Sequence, residues 1–173
     1  MRRVNSRSTK EYALKYLNTC SWLEVKNMKY LKPELRDDPE VVTAAVIQNG
    51  FALEYASERL KDDPEIVKTA VNNHGLALNY ASPRLQDDPE IVKEAVKNHS
   101  SLVLQCVSEW MKDDPEIVAA AVEHNGWALE YASKRLQAFG IDGVIELAKE
   151  QKRKRQIQRS KIDIKNKKII LEP

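Results

Sequence analysis

The chain has 173 residues, of which 42% are apolar and 31% are charged, a composition typical of a soluble globular domain with a real core. Residues 149–168 hold ten Lys/Arg and two acidic residues, so this segment carries +8 and leaves −6 for the remainder of a chain whose net charge is +2. The longest apolar run in the body, residues 117–122, is too short to cross a membrane, and the N-terminus lacks the apolar core of a secretory signal. We therefore expect an intracellular protein, cytoplasmic or nuclear.

The first predicted element is a helix over residues 11–17, within an N-terminal helical cap that we assign to residues 1–27. Trp22 and Leu23 are available there to cover the repeats that follow. A partial unit comes next at residues 28–36, in which Tyr30 and Pro33 match Tyr80 and Pro83 of a later unit.

The string Asp-Asp-Pro-Glu then occurs four times, at spacings of 25, 25 and 26 residues. A fixed period of this length is the signature of a repeat architecture. The predicted units are residues 37–61, 62–86, 87–112 and 113–137, and with the partial unit they form an array over residues 28–137.

Each unit has a predicted helix with defined ends. Asp38 can accept hydrogen bonds from the first backbone N–H groups, and Pro39 suits the first helical position. The helix is predicted to end near Asn49, with Gly50 as a left-handed residue after it. The second Asp of every unit has the same predicted capping role: Asp38, Asp63, Asp88 and Asp114.

The apolar positions of the units predict how they pack. Val41, Val42, Ala45 and Val46 fall on one helical face, and the alanine recurs in all four units, which predicts a close helix crossing. The second half of a unit reads as a shorter helix with a break near Ser57, after which the serine caps a final turn. Neither helix is long enough to be stable alone, so the units must stack. The predicted fold is an all-α solenoid of four short two-helix repeats, right- or left-handed, with helical end caps.

The C-terminal part continues with a predicted capping helix at residues 138–150, whose apolar stripe includes Val144 and Ala148. Residues 151–173 form a basic tail, which is either an extension of that helix or disordered. A strand at the brief alternation near Ile162 would have no partner in an all-helical body, so the segment from residue 161 onward is expected to be irregular.

The repeat pattern is D-D-P-E-[IV]-V-x-x-A-V-x-x-x-G-x-A-L-x-Y-A-S-x-x-L, which residues 37–60, 62–85 and 113–136 follow and the third unit does not. This pattern resembles the repeat of the family called domain of unknown function 4116. The resemblance covers about two thirds of the chain. It implies a helical-repeat structure, and it implies no activity and no catalytic residue.

Candidate chemistry in the sequence has simpler structural explanations. The paired carboxylates recur four times at helix starts, where capping explains them. The three histidines, His74, His99 and His124, lie about one unit apart, which is too far for one metal ion. Cys20 and Cys106 read as free thiols. We expect no cofactor, no metal and no catalytic activity, because no phosphate loop, nucleophile elbow or metal-ligand spacing is present.

The surface positions that vary between units are the predicted partner face. On the first helices these are Thr43, Ile47, Lys68, Asn72, Lys93 and Lys97. In the third unit, which has one inserted residue, Trp110 stands where Arg59, Arg84 and Arg135 stand in the others, so we expect it to be partly exposed. It is either an interface residue or a cover for the inserted residue.

The basic run of the tail is the other candidate site: Lys152, Arg153, Lys154 and Arg155. It resembles a nuclear-import signal or a nonspecific nucleic-acid contact, and it could instead bind the acidic body or be solvated. The leading hypothesis is a non-enzymatic scaffold for protein–protein interaction with an unknown partner. The alternatives are nonspecific nucleic-acid binding through residues 149–168, and a substrate-recruiting repeat module related to a larger enzyme or effector.

Overall fold

The structure is a computed structural model that describes residues 9–19, 28–98 and 101–171. The predictions for Cys20, Trp22, Leu23 and His99 lie outside these residues. Over the described residues the α-helices are α1 (Lys10–Thr19), α2 (Pro33–Arg36), α3 (Pro39–Gln48), α4 (Glu58–Lys61), α5 (Pro64–Asn73), α6 (Pro83–Gln86), α7 (Pro89–Asn98), α8 (Glu109–Lys112), α9 (Pro115–His124), α10 (Lys134–Gln137) and α11 (Gly140–Leu171). Each of the four units also contains a 3₁₀ helix between its α-helices, at Gly50–Tyr55, Gly75–Tyr80, Ser101–Gln105 and Gly126–Tyr131.

The first helix of each unit begins as the capping residues predict. Oδ1 of Asp38 accepts from the backbone N–H of Glu40 at 3.0 Å, and Pro39 holds the first helical position. The same cap forms in the other three units, at Asp63, Asp88 and Asp114. The predicted caps are therefore confirmed, and they fix where each helix starts.

The second element of a unit is a 3₁₀ helix followed by one α-helical turn, whereas the sequence predicted a two-turn helix with a break. The break near Ser57 is confirmed, since Ala56 and Ser57 are extended. Six residues must span the distance between extended Asn49 and Ala56, and a 3₁₀ helix rises about 2.0 Å per residue against 1.5 Å for an α-helix. The serine caps the final turn as predicted at Ser57, Ser82 and Ser133.

The glycines at the helix ends do not have the predicted left-handed conformation. Of the described residues, Gly140 alone has a positive φ, at 67°. Extended Asn49 ends α3, so Gly50 is free to start the 3₁₀ helix. What requires glycine is space, because a Cβ on Gly50 would lie 2.2 Å from the carbonyl oxygen of Ala70 in the next unit. The backbones of consecutive units therefore approach closely at the carbonyl group of the constant alanine.

The units stack into two layers. The first helices form one layer in the order α1, α3, α5, α7, α9, α11, each packed on the next, and the 3₁₀ helices stack in the same order beside them. The core between the layers is built from buried Val, Ala and Leu side chains. Among the described residues there is no strand. The protein is an all-α solenoid of short helical units with helices packed on both ends, as predicted.

Consecutive short helices are joined by a recurring contact, the Asp–Ser–Arg bridge. The Asp62 carboxylate accepts from the Ser82 hydroxyl and from Arg84 Nε at 3.0 Å, and Arg84 Nη2 donates to the Asp62 carbonyl oxygen. The same bridge links Asp37 to Ser57 and Arg59, and Asp113 to Ser133 and Arg135. These contacts lower the pKa of Asp37 and Asp62, by the serine hydroxyl first and the arginine second, and the pKa of Asp113 by the arginine first.

The third unit lacks this bridge because Trp110 replaces the arginine. Asp87 Oδ1 instead accepts from the backbone N–H of Ser108 at 3.3 Å. The Ser108 hydroxyl is buried and has no hydrogen-bond partner within the described part of the chain. The array therefore has one joint that differs from the others.

The C-terminal helix α11 runs unbroken from Gly140 to Leu171, so the position where we separated a capping helix from a basic tail lies inside it. Of the two alternatives for the tail, the structure shows the helical extension, and the prediction of an irregular segment is wrong for residues 161–171. Residues 144–171 contain neither Pro nor Gly and are rich in Lys, Arg, Gln and Glu, which are good helix formers. In the described part of the chain, no helix combines the length and the apolar character that a membrane span requires.

Candidate functional site

The predicted partner residues of the first helices share one surface of the first-helix layer. Ile47, Lys68, Asn72 and Lys97 are exposed, and Thr43 is half-buried. Lys93 differs, because its Nζ lies 3.1 Å from Glu116 of the next unit and 3.6 Å from Glu90. Its charge is thus engaged in joining two units.

Grooves lie at both ends of this surface. One, of about 500 Å³, lies between α1 and α3, where Leu14 meets Ala44 and Ile47. The other, of about 310 Å³, is lined by residues of α7, α9 and α11, including Lys97 and Lys152. The first-helix surface is therefore bounded by α1 at one end and α11 at the other.

Trp110 lies in a different groove, on the other flank of α11. Its side chain is 52% exposed, as the arginines at equivalent positions predicted. The groove has a volume of about 450 Å³ and is lined also by Asp113, Pro115, Leu147 and Glu150. The structure does not bring Trp110 together with the predicted first-helix residues.

Part of the basic run is bound to the acidic body. Arg155 lies 2.9 Å from Glu116 and 3.9 Å from Asp114 at the start of α9. Lys154 pairs with Glu150 of its own helix at 2.7 Å. Lys152 and Arg153 are exposed. The contact with the body that we considered for the tail thus occurs through Arg155, which attaches α11 to the fourth unit.

A row of apolar side chains, which we call the 3₁₀ row, is a surface that sequence reasoning missed. It consists of the residue that follows the glycine position in each unit: Phe51, Leu76, Leu102 and Trp127. Three of the four are exposed, at 37% for Phe51, 41% for Leu102 and 72% for Trp127, and Leu76 is half-buried. Because the 3₁₀ helices stack in order, these side chains follow one another along the array.

The two ends of the 3₁₀ row differ in how they are covered. The Phe51 ring packs on His74 at 4.8 Å and edge-on against Tyr80 at 6.4 Å, both from the second unit. After Trp127 the chain continues into α10 and α11, so no further 3₁₀ helix covers it. This leaves an open groove of about 660 Å³, lined by His124, Asn125, Gly126, Trp127, Leu129, Glu130, Gln137 and Ile141.

The sequence contained a signal for this groove. The position after the glycine is apolar in every unit but changes between Phe, Leu and Trp, which is typical of a surface rather than a core. Trp127 belongs to the last unit that begins with Asp-Asp-Pro-Glu. An aromatic residue in a final repeat has no following repeat to cover it.

The remaining candidates for chemistry have structural contacts. His74 Nδ1 accepts from the Gly50 N–H at 3.2 Å, so His74 links two units, and His124 ends α9. Cys106 is half-buried, and its burial raises the pKa of the thiol. Within the described ranges, no three His, Cys, Asp or Glu residues are grouped so that they could hold a metal ion.

The stacked units and their recurring joints define a helical-repeat protein. Residues 9–61, 63–102 and 88–137 match the model of a family described as Domain of unknown function (DUF4116). The matches cover more than half of the chain, and the protein belongs to this family. The first match begins at residue 9, so it includes α1, which packs on α3 as α3 packs on α5. No curated protein and no solved structure matches the chain significantly.

Proposed function

We propose that the protein is a non-enzymatic helical-repeat scaffold that binds other proteins, with the 3₁₀ row as its main contact surface. The observation that supports this is the exposure of Phe51, Leu102 and Trp127 at one repeat position. Contiguous exposed apolar side chains are typical of interaction surfaces, and aromatic residues are enriched among those that contribute most to binding. Stacked units present such a row as an extended surface.

The test is an affinity capture with the full chain as bait, followed by mass spectrometry, with and without nuclease. A triple variant, Phe51→Ala/Leu102→Ala/Trp127→Ala, should lose the partners that the unmodified chain recovers after nuclease treatment. The matched control is Ile157→Ala/Ile162→Ala, since these side chains are similarly exposed but lie on α11. Partners that bind the triple variant and the unmodified chain equally would contradict the proposal, provided that both melt cooperatively.

A second candidate function, nonspecific nucleic-acid binding, is supported by the form of α11. Beyond Arg155 the helix continues with exposed basic residues, and Lys152, Arg153, Arg159 and Lys161 together present positive charge on several sides of one long helix. Neutralising phosphates with such side chains releases counterions, so binding weakens steeply with salt.

This candidate is tested by fluorescence anisotropy with a random-sequence DNA duplex between about 50 and 200 mM salt. Replacing Lys152, Arg153, Arg159 and Lys161 by Gln should reduce the salt dependence of the affinity, while Arg155 still holds α11 in place. Weak binding with the same salt dependence in both chains would exclude the basic face of α11 as a nucleic-acid site.

A further inference from the structure

The open groove at Trp127 is the place where the stacking of the array stops in one layer only. In the first-helix layer, α11 packs on α9 in the position that a fifth first helix would take. In the 3₁₀ layer, Trp127 ends the row and stays 72% exposed, while Ile141 of α11 lies against Gly126 beside it. The groove therefore presents one side of a stacking contact. At the other end of the row, around Phe51, both sides of the equivalent contact are present.

The complete interface within the array shows what chemistry fits there. Phe51, which is equivalent to Trp127, is covered by two aromatic rings, those of His74 and Tyr80. This cover leaves Phe51 about half as exposed as Trp127, at 37% against 72%. An aromatic side chain that lies against Trp127 would restore the missing contact.

The charge of the groove adds a second requirement. Glu130 lines it, and none of the other lining residues is Lys or Arg. Glu130 follows Trp127 by three residues in the same 3₁₀ helix, and side chains with that spacing lie one above the other, so the two share one face of the helix. A ligand that carries a cation next to an aromatic ring would therefore match this groove.

We propose that this groove binds a short segment of a partner protein in which an aromatic residue stands next to a Lys or Arg, with the ring on Trp127 and the cation at Glu130. The inference rests on the proposed function and adds the site and the chemistry of the partner. A second copy of the chain cannot continue the array here, because α11 already occupies the position that α1 of that copy would need.

The experiment is selection of short random peptides displayed on phage against the immobilised full chain. The expected result is enrichment of peptides with Tyr, Phe, Trp or His beside Lys or Arg. Synthetic versions of these peptides should bind Trp127→Ala at least about tenfold more weakly. Because Trp127 is mostly exposed, this variant should keep the melting temperature of the unmodified chain.

Two variants make the result specific. Trp110→Ala removes an exposed tryptophan from another groove and should leave peptide binding unchanged. Glu130→Lys should shift the selection from basic to acidic neighbours of the aromatic residue. Peptides that bind Trp127→Ala and the unmodified chain equally would overturn the site and leave the interaction function standing. Failure to enrich any peptide, together with failure of the affinity capture, would overturn both.

Discussion

Gly50 and Ala70 meet where the end of one first helix approaches the middle of the next, and this contact sets the distance between units. Gly50 does not have a positive φ, so the glycine is required by the backbone oxygen opposite it. The same contact recurs at Gly75, where an added Cβ would lie 2.4 Å from the Ala95 carbonyl oxygen. At Gly126 the nearest atom is Cδ1 of Ile141, the end of a flexible side chain.

Gly50→Ala should therefore destabilise the protein, while Gly126→Ala serves as its matched control. The new Cβ at position 50 meets a backbone carbonyl that can move only if α5 moves, and we expect a loss of about 1–3 kcal/mol in the free energy of unfolding. At position 126 the Ile141 side chain can shift, so the change should stay below about 0.5 kcal/mol. Urea unfolding measures both, and equal losses would contradict the role of the Ala70 oxygen.

The Asp–Ser–Arg bridge makes the free energy of unfolding depend on pH. The Ser82 hydroxyl and then Arg84 lower the pKa of Asp62 in the folded chain. A carboxylate with a lowered folded pKa stabilises the fold above its unfolded pKa of about 3.9, and this contribution is lost as the pH falls through the folded pKa.

Asp62→Asn should lower the melting temperature near neutral pH, and the difference from the unmodified chain should shrink as the pH falls below the unfolded pKa of about 3.9 and through the lowered folded pKa. Asp87→Asn is the control, because Trp110 replaces the arginine there and the bridge is absent. Its effect near neutral pH should be smaller. Melting curves across pH test this, and an Asp62→Asn difference that persists in acid would show that the charge is not its cause.

At the scale of single elements, α11 has two parts with different surroundings. Its first part packs on α9, with Val144 and Ala148 buried. The last contact of this part is made by Arg155, which forms ion pairs with Asp114 and Glu116. Those two carboxylates are mostly buried, so the ion pair is better shielded from water than an exposed one. The described side chains that follow Arg155 are exposed.

Arg155→Glu should loosen the attachment of α11, because it places a third carboxylate beside Asp114 and Glu116. We expect a loss of about 1–2 kcal/mol in the free energy of unfolding and faster amide exchange in α11. Arg153→Glu makes the same charge change at an exposed position and should have little effect. Similar exchange rates in the two variants would mean that Arg155 does not hold the helix.

At the scale of the whole molecule, we expect the joint at the third unit to be the weakest of the joints that the structure describes. It lacks the Asp–Ser–Arg bridge, and it buries the Ser108 hydroxyl without a partner, which costs about 1–3 kcal/mol. In a linear array, stability is the sum of units and of the interfaces between neighbours, so a weak interface is where the array opens first.

Amide exchange should therefore be faster in α8 than in α6, which has the same position in the preceding unit. Trp110→Arg restores the missing arginine and should reduce that difference, because Asp87 then regains a partner. Mass spectrometry of exchanged peptides measures both rates. Equal exchange in α6 and α8 of the unmodified chain would contradict a weak third joint.

Local signals allowed the helical fold to be predicted. Asp38 and Pro39 define a helix start through their own backbone contacts, so a sequence of a few residues suffices. The reason for a glycine at position 50 was predicted wrongly because the Ala70 oxygen that requires it lies in another unit. The groove at Trp127 was missed for a similar reason. The Trp127 side chain is exposed because no further 3₁₀ helix of the described chain stacks on it, and the local sequence does not show this. Contacts between units and the ends of the array are thus what the repeat pattern alone could not show.

The Gly–Ala contact has a consequence for the length of the molecule. Residues 62–86 form a unit whose two joints are alike: Gly50 fits on its Ala70, and its own Gly75 fits on Ala95. An additional copy of these residues after Gln86 would meet a matching neighbour on both sides. Each such copy would move the two ends of the array apart by one helix spacing, about 8–10 Å. The contacts it makes would repeat those already present between units. Duplication of one segment is therefore enough to change the reach of this protein.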